Sequence, residues 1–446
     1  MRSYSQLFRT REFTPLFLSA CLRTAASTVS GLALGTLVYR ATQSPLLTAL
    51  SMFGPSLAQV VGATTMLSAA DRLPPRATVT GIALLFALGT AAMAIPGLPV
   101  WTVFALLLTL GLIQSCGGGV QWGLLNEILA KEGYLLGRSV FNMMNGLAQI
   151  TGYAAGGVLV ALLSPRLTLL LAAGLYLASA LAARLGLTRR APRATGRPSI
   201  ARTWHTNARL FSSPERRTLY LLLWVPNGLV VGCESLYVSY APSRAGVLFA
   251  FAAFGMFLGD VTTGRLLPPR VRARLGIPFL LLLASPYLLF ALHPGVGVAV
   301  ACVTLASAGF GSSLIQQERL VALIPDDLSG HALGLHSAGM LTMQGVSAAL
   351  AGGVAQLTSP ATAMTVMAAA SITVTLTLAP SLRRNRDRGG ERGPRRSVGR
   401  SRGVGRSRSV GRSRGVGRLR NRPVTPDRQH GEPSTPTPSR SQVNSP

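Results

Sequence analysis

Two ionisable side chains lie deep within long apolar stretches of this 446-residue chain: Arg23 near the middle of 13–39, and Glu234 in the second half of 218–240, at the end of Asn227-Gly228-Leu229-Val230-Val231-Gly232-Cys233-Glu234. An ionisable group in hydrocarbon is expensive, and such residues usually face a bundle interior or a wet cavity where they handle ions, protons or substrates. Arg23 could bind an anion or pair with a carboxylate. Glu234 could gain and lose a proton as a cavity opens and closes. Packing roles are open to both, as a snorkelling or structurally paired arginine and as a carboxyl held by a polar neighbour. Their depths differ by roughly two helical turns at a rise of about 1.5 Å per residue, so no pairing is assumed. Gln114, Asn227, Ser312, Ser313 and Gln316 add polar groups to apolar stretches. They could line a polar path, or serve as hydrogen-bonding glue between helices.

Nothing in the chain suggests catalysis, a metal or a cofactor. Cys21, Cys116, Cys233 and Cys302 fall in four different apolar runs, and His331 and His336 have no companions at zinc spacing. A phosphate-cradling Gly-Lys-Ser/Thr loop is missing too.

The elements that must position these residues are membrane helices. The chain is 48% hydrophobic and 13% charged, and its charges concentrate outside the apolar runs. Runs of about 20 apolar residues are long enough to cross a bilayer as helices. Twelve spans are expected, at 13–39, 45–70, 77–95, 99–126, 138–163, 167–187, 218–240, 244–264, 275–292, 296–322, 332–357 and 361–380. The first exceeds the short apolar region of a cleavable signal and is read as a span. Pro96-Gly97-Leu98, His293-Pro294-Gly295 and Thr358-Ser359-Pro360 are turn sequences between them. With the N-terminus inside, the outside loops hold Arg40, Arg166 and Arg244, while the inside segments hold almost all the other loop arginines and Lys131. That asymmetry follows the positive-inside rule and places both termini in the cytoplasm of a multi-pass plasma-membrane protein.

The two halves repeat. Asp71-Arg72-Leu73-Pro74-Pro75-Arg76 follows span two, and Gly259-Asp260 with Arg265-Leu266-Leu267-Pro268-Pro269-Arg270 follows span eight. Ala155-Gly156-Gly157-Val158 in span five matches Ala351-Gly352-Gly353-Val354 in span eleven. The expected organisation is a six-helix half over 1–187, a basic linker over 188–217 with a short surface helix near 200–211, a second six-helix half over 218–380, and a disordered arginine-rich repeat tail over 381–446. The net charge of +29 is carried almost wholly by arginine. Where it lies in the linker and tail it suits anionic lipid headgroups, at about 1 kcal/mol per arginine near the surface. No specific nucleic-acid partner is expected, because the arginines of the core lie in loops between spans.

These loops resemble the signature of the major facilitator superfamily of secondary transporters, over about residues 10–380. The family pattern is a glycine, an Asp-Arg pair and a basic residue. Asp71, Arg72 and Arg76 match it while Leu67 replaces the glycine, and Gly259, Asp260 and Arg265 are the second copy. The resemblance implies an all-α fold of twelve transmembrane helices in two pseudo-symmetric halves. It also implies that these six residues form a conformational latch, and that spans one, four, seven and ten line the central cavity. Those are the spans that carry Arg23, Gln114, Asn227, Glu234, Ser312, Ser313 and Gln316. Gly152-Tyr153-Ala154-Ala155-Gly156-Gly157 is similar to the antiporter pattern of the family, with Tyr153 in place of a proline. In span four, the arginine of proton-coupled exporters has no counterpart near Gln114. Gly152, Gly156, Gly157, Gly352 and Gly353 are expected to let helices approach closely, with Gly156 and Gly352 also as bending points.

The function implied is alternating-access transport of a small organic molecule by a monomer, in the direction of efflux, with protons as a coupling partner through Glu234. Two other readings stay open: an importer of a nutrient or organic anion that uses Arg23 as the anion contact, and a membrane-anchored binding or sensing protein acting through its tail.

Overall fold

The computed structural model describes residues 4–66, 74–115, 117–129, 131–191, 200–324 and 328–390, and this part of the chain is helical with no strand. Among the described residues, ten elements are long and apolar enough to cross a membrane: Phe13–Thr42, Pro45–Gly62, Pro75–Met93, Pro165–Gly186, Pro214–Tyr240, Ala245–Leu266, Arg274–Leu292, Val296–Ala322, His331–Leu357 and Pro360–Ser381. Two further elements complete twelve spans. Span four is Val100–Gln114 continued by Gly117–Ile128, and span five is Lys131–Leu162.

Local sequence explains most helix ends. Pro45, Pro75, Pro165, Pro214, Pro269 and Pro360 each begin a helix, where the missing N–H is no loss and the fixed φ is already helical. Ser164 caps span six by accepting from the Leu167 N–H at 3.2 Å. Gln43 and His293 stop spans one and nine in the left-handed region, at φ 53° and 50°, which frees the chain to turn back at once.

Several spans depart from simple continuous helices. In span four one helix ends at Gln114 with Ser115 as its C-cap, and a second begins at Gly117. Span seven breaks after Glu234 and resumes over Tyr237–Tyr240. Span nine tightens to a 3-10 helix over Ser285–Leu292, where Pro286 enters, and span ten does so over Gly309–Gly311. Spans five and eleven run unbroken through Gly156 and Gly352, so neither glycine divides its helix. The expected linker helix forms over Ile200–Ser212. Span twelve continues past the expected tail boundary to Gly390, with Pro380 inside it. Residues 391–446, which include the arginine repeats, lie outside the described residues.

Packing repeats with an offset of six spans. Span one packs on five and six, as seven packs on eleven and twelve. Span two packs on four as eight packs on ten, and three on six as nine on twelve. Between the halves, span two meets eleven and span five meets eight. This is an all-α integral membrane fold of two pseudo-symmetric six-helix halves.

Besides a small apolar cluster of Ala26, Ala87 and Tyr176, the first half has two large ones. One contains Phe13, Leu16, Val120, Leu124 and Phe141, near the end of the bundle where the chain enters span one, here called the terminal end. The other contains Ala33, Leu34, Val38, Met93 and Leu107, near the distal end. The second half has a larger core built on Leu222, Leu229, Val230, Tyr237, Tyr287 and Phe290.

Candidate transport cavity

A cavity of about 500 Å³ lies at mid-depth in the first half, between those two apolar clusters. All six spans of that half contribute to its wall. Arg23, Ser27 and Ser30 come from span one, Gln59 from span two, Thr90 from span three, Gln114 from span four, Asn145, Gln149 and Tyr153 from span five, and Tyr176 from span six. A second cavity of about 200 Å³ adjoins it towards the terminal end and shares Arg23, Thr24, Gln114 and Asn145. Among the described residues, Arg23 is the only ionised side chain in either lining. Its Nη2 donates to Gln121 Oε1. No ion pair to Arg23 is found among the described residues, and a guanidinium has five N–H donors in a planar fork. Thr24 donates to Asn145 Oδ1 at 2.8 Å, which ties spans one and five together on the same wall.

Of the expected pathway residues, Arg23 and Gln114 reach the cavities and the others do not. Asn227, Glu234, Ser312 and Gln316 are buried inside the second half, and Ser313 is half-buried there. The polar path expected along spans one, four, seven and ten is therefore divided: a polar-lined cavity in one half and a buried polar cluster in the other. Arg23 and Glu234 do not meet. Gln59, Gln121, Asn145 and Gln149 also line the cavities. They are amides inside apolar spans two, four and five, the same signal in the sequence that marks Gln114.

The cluster in the second half has unmet hydrogen-bonding capacity. Asn227 Nδ2 donates to Leu223 O at 2.7 Å within its own helix. Asn227 Oδ1, Glu234 Oε1, Ser312 Oγ and both amide atoms of Gln316 are buried and make no hydrogen bond among the described residues. Spans seven and ten run antiparallel, and Leu223 packs in one cluster with Leu320. One turn further along each helix, Asn227 and Gln316 come to the same depth. Buried polar groups are normally satisfied, so orphaned ones call for a structural or functional reason. Glu234 is within electrostatic reach of Tyr237, Tyr287 and Tyr153. Tyr153 also lines the large cavity and stacks on Phe249 of span eight at 4.8 Å. It thus stands between the two polar regions, at the position where the antiporter pattern has proline.

The contacts that bridge the halves gather towards the distal end. A Cβ on Gly157 would lie 2.8 Å from Gly246 Cα, and one on Gly352 would lie 2.7 Å from Leu46 Cα. Ser44 donates to Gln356 Oε1 at 2.8 Å. Gly152 and Gly156 instead accept span one, against Thr28 and Val29. Gly353 has open space around it, so it permits no close approach here, in contrast to the expectation.

The latch residues are placed unevenly. Asp71 and Arg72 lie outside the described residues. Arg76 is half-buried, and its Nε makes no hydrogen bond among the described residues. Asp260 and Arg265 are exposed, the latter in a π-helical turn over Thr262–Leu266, and no ion pair joins them among the described residues. Gly259 packs against the Ala308 backbone of span ten, one turn beyond Gly255 against Thr304. Gly259→Ala should therefore destabilise the fold by about 1–3 kcal/mol through overpacking, whereas Gly353→Ala should have no effect. Thermal unfolding in detergent measures both, and an unchanged Gly259→Ala protein would remove the packing role.

The Major Facilitator Superfamily model matches residues 16–318. No curated protein matches the chain in sequence. Similar solved structures include a mutant of the nucleoside transporter NupG, at 11% identity and TM-score 0.68, covering 82% of this chain and 98% of that one. A POT family transporter in complex with a thioalcohol-conjugated peptide gives 12% and 0.66, covering 83% and 96%. A bacterial homologue of the human lysosomal transporter Spinster, inward-facing and unoccupied, gives 16% and 0.63, covering 83% and 96%. With its duplicated twelve-span bundle and a family match over most of its length, the chain belongs to the major facilitator superfamily and is a multi-pass membrane transporter, not an enzyme.

Proposed function

We propose that the protein carries a small organic anion across the plasma membrane by alternating access, in the direction of export. The observation that carries this reading is Arg23: one guanidinium in the wall of a 500 Å³ cavity whose described lining has no carboxylate to neutralise it. A cation in a polar, partly enclosed site attracts an anionic group strongly, because a low local dielectric magnifies the pair. The bridging contacts close the distal end, and the smaller cavity extends towards the terminal end, as a site facing one side of the membrane would. The span-five glycine pattern supports export. With both termini cytoplasmic, as the loop charges indicate, the cavity faces the cell interior.

Coupling to protons is assigned to Glu234. The carboxyl is 6% exposed, and Oε1 makes no hydrogen bond among the described residues. It can trade a proton with water only in a state that opens the region around it, which ties protonation to the conformational cycle. Asp71, Arg72, Arg76, Gly259, Asp260 and Arg265 are read as the latch that biases the two states. Anionic lipids are assigned to the linker, whose helix exposes Trp204 while Leu210 packs on span seven.

The test is flux in proteoliposomes, with organic anions and their neutral amides presented on either side under an imposed pH gradient. Transport of anions from the terminal side, driven by the gradient, is expected. Glu234→Gln should abolish gradient-driven transport and leave the protein monodisperse with unchanged helix content. Undiminished gradient dependence in that variant excludes the role. Net uptake towards the terminal side would replace export with import.

A further inference from the structure

The smaller cavity is chemically unlike the larger one. Its wall at the terminal side is Phe17 of span one, Trp122 of span four, and Phe141 and Met144 of span five. Phe17 and Phe141 meet edge-to-face at 5.6 Å, and Trp122 lies 6.1 Å from Phe141. Their neighbour Phe13 is fully buried core, whereas Phe17, Trp122 and Met144 are half-buried and keep surface open. Arg23, with Gln114 and Asn145, stands at the junction of the two spaces. Arg138 lies over the Trp122 ring at 5.5 Å and adds positive charge beside this aromatic wall. The arrangement is a cationic head site next to a space of about 200 Å³ walled by aromatic rings and a thioether, and these surfaces prefer an aromatic guest.

We propose that the substrate is an aromatic organic anion. Its carboxylate or equivalent group would sit on Arg23, and its ring would lie among Phe17, Trp122, Phe141 and Met144. The inference rests on the anion reading above and adds the ring. An inorganic anion or a sugar acid would leave the aromatic slot unused. A neutral aromatic would leave Arg23 without a counter-charge.

Equilibrium binding to the full-length protein in nanodiscs decides it, with radiolabelled 1-naphthaleneacetate, 1-naphthaleneacetamide, acetate and octanoate as probes. Naphthaleneacetate is expected to bind about tenfold or more tighter than acetate, from the apolar surface it buries. It should also bind tighter than octanoate, because the slot is lined by aromatic rings. The amide should bind about tenfold or more weaker than the acid, from loss of the charged hydrogen bonds. Arg23→Gln should erase the difference between acid and amide. Trp122→Leu and, independently, Phe17→Leu should weaken naphthaleneacetate more than octanoate, and the second variant covers a folding failure of the first. Equal binding of aryl and alkyl acids, with Arg23 still required, overturns the aromatic inference and leaves the anion reading standing. Equal binding of acid and amide, insensitive to Arg23→Gln, overturns the anion reading itself. Binding of none of the four probes overturns the aromatic proposal, while the anion panel in proteoliposomes still judges the other.

Discussion

Arg23→Gln is expected to lower the affinity for a transported anion by about 10- to 150-fold, the range set by charged hydrogen bonds of about 1.5–3 kcal/mol. The substitution keeps a donor at the end of a shorter side chain but removes the charge and the planar fork. Arg23→Lys should recover only part of the loss, because an ammonium offers charge without the bidentate geometry. The bond from Arg23 to Gln121 Oε1 predicts a companion effect. Gln121→Leu should weaken binding less than Arg23→Gln, since it loosens the guanidinium without removing it. Concentration-dependent flux of an anion and its neutral amide measures all three. If the anion and amide respond equally, Arg23 is a structural group, and the proposed substrate class falls with it.

Gly157→Leu is expected to shift the bundle away from the state seen here. Even a methyl at this position would lie 2.8 Å from Gly246 Cα, and backbone cannot give way as a flexible side chain can. Overpacking of about 1–3 kcal/mol corresponds to a population shift of roughly 5- to 150-fold between two conformations. The distal end should open, because Gly157 and Gly246 join the halves there. Spin labels at Gln43 and Thr358, exposed positions at the distal ends of spans one and eleven, should report a longer distance by pulsed electron resonance. Gly353→Leu, where no atom lies within 4 Å, should leave that distance unchanged. An unchanged distance in Gly157→Leu would mean that this contact is permanent and that the moving interface lies elsewhere.

These two substitutions mark the boundary between what was readable and what was not. Arg23 was readable as a candidate because a charge in an apolar run needs a reason. Its surroundings were not, because Gln121 and Tyr176 reach it from two other helices. The glycines show the same limit. Gly156-Gly157 and Gly352-Gly353 look equivalent as letters, yet Gly157 touches span eight, Gly352 touches span two, and Gly353 touches nothing. Adjacent helical residues point about 100° apart, so a repeated motif does not say which member faces a neighbour.

What the sequence by itself determined is the membrane bundle, its duplication and the family. Those rest on local quantities: the length of each apolar run, the proline and glycine turns between runs, and the charge of each loop. Only the tertiary structure decided that the cavity belongs to the first half, that Arg23 and Glu234 are kept apart with Tyr153 between their regions, and that Gly259 packs on span ten. The physical reason is rotational. A span apolar on nearly every face carries little amphipathic signal to state which side it turns inward, so the pairing of side chains across helices is set by packing.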